Sequence, residues 1–158
     1  VLARQAGWDI VATAGSRRSP LPGFAALGAS RCRVVTPGEL PGVVGDGVVR
    51  PTLVLVDDAH RLPDDYPWAK CAAASGTVTP VVTIVAGATD VLSRSTGVMR
   101  VLDAPGGVAL MCARSRDADA VGITRVDDDW VVRPLPGVGV AGIAGDPHRL
   151  QFPLVLAP

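Results

Sequence analysis

The stretch Thr52-Leu53-Val54-Leu55-Val56-Asp57-Asp58 limits what this chain can fold into more than any other. Pro51 precedes it, and an unbroken apolar run ends in two adjacent carboxylates. A strand buried on both faces needs such continuity, because neither face has room for polar side chains. The two Asp residues then fall where the strand leaves its sheet. In open α/β sheets that edge is where ligands bind. The plainer reading is a strand end with two solvated carboxylates, capping the next turn.

The rest of the chain alternates in a way that suits such a strand. Val1–Ala6 reads as the tail of a helix closed by Gly7, and Trp8–Ala14 as an apolar strand. A basic, Ser- and Pro-containing turn follows at Gly15–Pro22, then a short Ala/Leu helix at 23–29 and a short strand at Arg33–Val35. Thr36-Pro37-Gly38-Glu39 has the T-x-x-E form of a capping box, and the helix it opens must be brief because Pro41, Gly42 and Gly45 crowd it. Beyond Asp58 the pattern predicts a polar connection to Pro67, a helix over 68–75, a strand at Val81–Ala86 and a helix capped by Thr89 running to Arg94. A third buried strand is expected at Val108–Ala113 and a short helix at Asp117–Val121. From Trp130 the pattern becomes short strands split by Pro-Gly and Gly-Asp-Pro turns: Trp130–Arg133, Val138–Ala144 and Arg149–Leu156. Strand–helix alternation followed by hairpins predicts an α/β fold with a mostly parallel sheet and an antiparallel appendage. The division expected is 1–125 for the α/β part and 126–158 for the hairpin part.

With 158 residues, 48% of them apolar, the chain can bury a sizeable core. Fifteen basic residues balance fifteen acidic ones, so there is no net positive field to attract nucleic acid. Lys70 is the only lysine and Glu39 the only glutamate. Cys32, Cys71 and Cys112 show no CxxC spacing and read as free, largely buried thiols. No apolar stretch approaches the roughly 18 residues a membrane-spanning helix needs.

Several residues could carry chemistry. An Asp at the end of a buried strand suits Mg²⁺, which prefers hard oxygen ligands. A second acid beside it can position or deprotonate water. Asp57 is thus the candidate metal-side and cofactor-side acid, and Asp58 the candidate catalytic one. Thr83 interrupts the apolar strand Val81–Val85; a resemblance to ATPases of this layout, where a polar residue on that strand can contact the terminal phosphate, makes it a candidate contact, and it is equally a good strand former. His60 could join the carboxylates as base or ligand, or be an exposed loop imidazole; His148 reads as a turn residue. Arg17, Arg18, Arg31 and Arg33 read as a solvated basic face. Trp8, Trp68 and Trp130 read as core or interface anchors. Gripping a nucleotide's phosphates calls for GxxxxGK[ST], whose glycines let backbone N–H groups wrap the phosphates. The chain has no such string, and Lys70 stands between Ala69 and Cys71.

Taken together, several segments resemble the later part of an FtsK/SpoIIIE-type ATPase domain, especially the divergent copies in EccC ATPases of type VII secretion. Ala6-Gly7-Trp8-Asp9-Ile10-Val11 resembles the helix end and strand after the P-loop helix. Arg18-Ser19-Pro20-Leu21 resembles the "RSPL" turn, and Leu53–Asp58 with Ala59 resembles the Walker B segment. Val108–Ser115 and Asp117–Gly122 resemble a strand and a "D…lLG" segment near the domain's end. Pro134–Gly139 resembles the "PLPGRG" entry to a terminal hairpin, with Val138 where the family has Arg, and Gln151 resembles a closing "vQ" strand.

The resemblance implies a RecA-like P-loop NTPase-type sheet lacking its P-loop strand, which would precede Val1. In that family the P-loop strand lies beside the Walker B strand. Its absence implies that another chain supplies a strand beside residues 52–57, or that the sheet closes up differently. ATP and Mg²⁺ are the family's cofactors, with Asp57 holding Mg²⁺ only if a P-loop is supplied; this chain alone is expected to bind neither. The second acid, Asp58, stands where the family has Glu. The function implied is an ATPase-like module serving assembly, regulation or partner docking rather than hydrolysis by itself. Implied partners are other ATPase domains of a parent protein, a homo-oligomer or a protein substrate, with DNA reached only through the parent. The implied location is cytoplasmic, on a parent that can be membrane-anchored. Two alternatives compete: an ATP-hydrolysing motor domain whose P-loop lies outside this chain, and an unrelated α/β regulatory binding domain, flavodoxin-like, with Asp57 and Asp58 as an acidic pocket.

Overall fold

The structure, a computed structural model, describes residues 7–21, 23, 31–45, 48–73, 79–92, 94, 97–98, 107–111, 119, 138–143 and 146–151. The chain forms two compact units, Val1–Gly97 and Val98–Pro158.

The first unit contains strands β1 (Asp9–Ala14), β2 (Cys32–Val34), β3 (Thr52–Asp57) and β4 (Val81–Val85). Helix α1 (Leu40–Gly45) joins β2 to β3, and helix α2 (Trp68–Ala73) lies between β3 and β4, after a 3₁₀ turn at Ala59–Arg61. Helix α3 (Thr89–Leu92) follows β4 and is two residues shorter than the 89–94 span expected. The strands form one sheet in the order β2-β1-β3-β4, every neighbouring pair parallel. The α/β fold with a parallel sheet is therefore as the alternation predicts.

The order explains the burial. Connections from β2 to β3 and from β3 to β4 step across the sheet in the same direction, so the right-handed crossover rule puts α1 and α2 on one face. The two helices pack against each other. Val11 and Thr13 on β1 alternate in register with Thr52, Val54 and Val56 on β3, and this row is buried. Leu40 and Val44 of α1 and Trp68 and Cys71 of α2 are buried as well. Burying a side chain such as Val54 stabilises by about 1.5–3 kcal/mol. On the other face Leu53 and Leu55 are half-buried, and Val82 and Ile84 of β4 are exposed.

Local details follow the sequence. Gly7 has φ 79°, the left-handed value of a helix C-cap; the helix expected before it lies outside the described residues. Glu39 accepts from the Thr36 N–H and the Thr36 hydroxyl, both at 2.8 Å, which is half of a capping box. These two bonds hold the Glu39 carboxyl below its ordinary value, the backbone bond first. The Tyr66 hydroxyl donates to the Pro37 carbonyl at 2.8 Å, and its ring meets Trp68 edge-on at 4.8 Å. Burial raises the Tyr66 phenol and the Cys71 thiol above their ordinary values.

The second unit contains β5 (Gly107–Met111), β6 (Val138–Ile143) and β7 (Asp146–Gln151), an antiparallel sheet in the order β5-β6-β7. Two expectations need revision. β5 belongs to the antiparallel sheet, not to the parallel one: a short apolar run satisfies either environment. Asp146 and Pro147, read as a turn with His148, begin β7, where Pro147 pairs with Gly142. Pro is tolerated in edge strands, and among the described residues β7 pairs only with β6. The expected elements at 23–29, Asp117–Val121 and Trp130–Arg133 fall largely or wholly outside the described residues. Among the described residues no helix is long and apolar enough to cross a membrane.

Of the two ways expected to fill the place beside β3, a strand supplied by another chain is overturned. β3 is flanked by β1 and β4, both from this chain, over Asp9↔Thr52 to Ala14↔Asp57 and Thr52↔Val81 to Val56↔Val85. No strand from another molecule has room beside residues 52–57, because both backbone edges of β3 are already paired.

Candidate functional site

The candidate site lies at the carboxyl ends of β1, β3 and β4. The chain reverses its direction of travel across the sheet there: β2 lies on one side of β1 and β3 on the other. Adjacent loops diverge at such a switch point and leave a crevice, the usual binding position of open α/β sheets.

Three backbone bonds build the edge. The Gly15 N–H donates to the Asp57 carbonyl at 2.9 Å, extending the β1–β3 ladder by one residue. The Ala86 N–H donates to Val56 at 2.8 Å, and the Ala59 N–H to Ala86 at 2.9 Å, tying the end of β4 to β3. Gly15 is required by packing: a Cβ there would run into the Asp58 carbonyl oxygen. Asp58 itself has φ 48° and ψ 35°, a left-handed conformation that Asp tolerates better than most residues. The turn is sharp enough for Asp58 O to accept the Arg61 N–H at 2.9 Å, starting the 3₁₀ turn.

Asp57 is fixed by a residue far away in sequence. Ser19 Oγ donates to Asp57 Oδ2 at 2.6 Å, a short charge-assisted bond across 38 positions. The same Oγ accepts the Leu21 N–H at 3.2 Å, closing a local turn ahead of the contact. Ser19 is 9% exposed, whereas neighbouring Arg17 and Arg18 are exposed. Ser19 is the site residue that sequence reasoning missed. Its signal was present in Arg18-Ser19-Pro20-Leu21, but nothing in the spacing tells which side chain that turn meets.

The other candidates separate. Asp58 follows Asp57 directly and lies at the edge. Thr83 does not: it stands mid-strand in register with Val54. Strand alternation puts Thr83 on the Val54 face and Asp57 on the Leu55 face. His60 sits at the edge, but its Nδ1 accepts the Ala88 N–H at 3.2 Å, bracing the turn after β4. A Cβ at Gly87 would meet the same Nδ1 at 3.1 Å, so the imidazole packs closely on this turn.

Chemically, the edge presents two carboxylates, one already bonded to a buried hydroxyl. Such an arrangement accepts hydrogen bonds from a ligand's hydroxyl or amine groups. Among the described residues no glycine-rich loop cradles this edge, and Lys70 lies on α2, exposed, rather than on this edge. Among the described residues no three His, Cys, Asp or Glu side chains converge as metal ligands. A separate open groove, lined by Asp9, Arg31, Cys32, Arg33, Val43 and Val49, lies at the amino ends of the strands, opposite the end where such sheets bind ligands. Compared with known proteins, the chain matches no family model, no curated protein and no solved structure.

Proposed function

We propose that this chain is an ATPase-like module of an FtsK/SpoIIIE-type translocase, of RecA-like descent, that serves assembly, regulation or partner docking and does not hydrolyse ATP by itself. The observation that supports this reading is the Ser19–Asp57 bond at 2.6 Å. It joins the two segments with the most distinctive likeness, the Arg18–Leu21 turn and the Leu53–Asp58 strand, at the edge where such a protein would keep its nucleotide. The carboxylate that would face Mg²⁺ is instead bonded to a hydroxyl, and the sequence has no GxxxxGK[ST] to hold phosphates. Partners in this reading are other ATPase domains, further copies of the chain or a protein substrate.

Isothermal titration of Mg-ATP into the folded protein tests the reading. The expected result is no heat of binding. Saturable binding that Asp57→Asn abolishes, with turnover lost in Asp58→Asn, overturns it in favour of the motor enzyme.

A second reading is an α/β regulatory binding domain. The order β2-β1-β3-β4 favours it, since flavodoxin-like sheets share that order and bind ligands at the β1/β3 switch point. It expects a small ligand rich in hydrogen-bond donors to perturb Asp57, Asp58 and Ser19.

A further inference from the structure

We infer that two copies of this chain associate through the outer edges of β4, pairing antiparallel about a two-fold axis at Thr83. The inference rests on the edge of the parallel sheet, not on Asp57, and stands or falls independently of the functional reading above.

The sheet has two edges, and they are unlike. β2 is three residues long and flanked or occupied by the exposed arginines Arg31 and Arg33. Shortness and charge are the usual means by which an edge strand avoids pairing with other molecules. β4 has neither. It reads Val81-Val82-Thr83-Ile84-Val85, and no charge occurs from Thr79 to Thr89. Val82 and Ile84 are 44% and 52% exposed, although both are strongly apolar. Among the described residues β4 is paired only to β3.

The hydrogen bonds show which backbone groups point outward. Thr52 N–H donates to the Pro80 carbonyl at 3.0 Å and Ala86 N–H to Val56 at 2.8 Å. Even-numbered residues of this strand therefore face β3, and Val81, Thr83 and Val85 face away.

The strand also reads nearly the same in both directions. Antiparallel pairing centred on Thr83 places Val81 opposite Val85, Val82 opposite Ile84 and Thr83 opposite itself. Every outward N–H and C=O of Val81, Thr83 and Val85 then meets a partner. On one face Val82 and Ile84 of both copies form a continuous apolar strip, and on the other the two Thr83 side chains adjoin. Such cross-strand pairs are favourable ones, and with no charge in the segment no like charges meet. The operation is a closed two-fold, so it yields a dimer rather than a fibre. Two five-residue edges bury less than the roughly 1,200 Å² of a stable standard interface, so the dimer is weak and depends on concentration.

Sedimentation velocity under reducing conditions tests this across a concentration series. The wild-type chain should shift from monomer to dimer. Val82→Lys/Ile84→Lys sets like charges opposite each other on an exposed face, and should raise the dissociation constant by about tenfold or more. Circular dichroism checks that the variant remains folded. Thr83→Cys in a background with Cys32 and Cys112 changed to Ser reads the register. It should give a covalent dimer on mild oxidation, because facing hydrogen-bonded residues lie about 5.5 Å apart, within disulfide reach. Val85→Cys in the same background should not, since Val85 faces Val81. A wild-type chain that stays monomeric at every concentration, its β4 edge available to some other chain, overturns the inference. So does a folded double-lysine variant that dimerises as well as wild type, or cross-linking at 85 rather than 83.

Discussion

Changing Ser19 to Ala should destabilise the first unit through a contact 38 positions away. The bond from Ser19 Oγ to Asp57 Oδ2 is 2.6 Å long, with Ser19 only 9% exposed. A hydrogen bond to a charged group contributes about 1.5–3 kcal/mol when well buried. Asp57 is half-buried, so water can replace part of what the hydroxyl supplied, and about 1 kcal/mol of that contribution remains. The Leu21 N–H, at 3.2 Å from the same oxygen, also loses its acceptor. Together these give a loss of about 1–2 kcal/mol. With a urea slope of about 2 kcal/mol/M, the unfolding midpoint falls by roughly 0.5–1 M. A double-mutant cycle with Asp57→Ala isolates the pair, and its coupling should be about 1 kcal/mol. A Ser19→Ala midpoint equal to wild type, or additive single effects, would refute the argument that this bond fixes the edge.

Two further outcomes follow from the same geometry. Gly15→Ala places a Cβ against the Asp58 carbonyl oxygen, a backbone atom with no freedom to retreat, and should cost about 1–3 kcal/mol in urea unfolding; Ser16→Ala, one residue on, should cost far less. Glu39 has its carboxyl lowered by the Thr36 bonds, so the stability it contributes is present above its unfolded value of 4.5 and is lost as pH falls through the lower folded value. Glu39→Gln should therefore flatten the acid limb by lowering the urea midpoint near neutrality while changing little in acid, where Glu39 is already protonated; an unaltered pH profile counts against the capping bond.

The parts of the fold written in continuous patterns were legible in the sequence. β1, β3 and β4 fall within a residue of their expected bounds, because apolar runs ended by Gly, Pro or Asp fit few other structures. Thr36 and Glu39 announced a helix start, and Glu39 makes the predicted bond. What was not legible depends on partners distant in sequence. Nothing in Gly107–Met111 says whether its neighbour is a parallel or an antiparallel strand. Pro147 looks like a turn until β7 is known to be an edge. Thr83 seemed a companion to Asp57 because both end or interrupt apolar strands, yet register and alternation put it mid-strand on the opposite face. Ser19 reads in sequence as part of a turn, and its role appears only once β1 and β3 are neighbours.

That neighbourhood is what the account depends on, and interstrand NOEs in the isotopically labelled protein measure it directly. The structure predicts backbone contacts linking Val11 to Val54, Ala14 to Asp57 and Val54 to Thr83, all in parallel register. Contacts that place another strand between β1 and β3, or pair them antiparallel, would separate Ser19 from Asp57 and contradict the account.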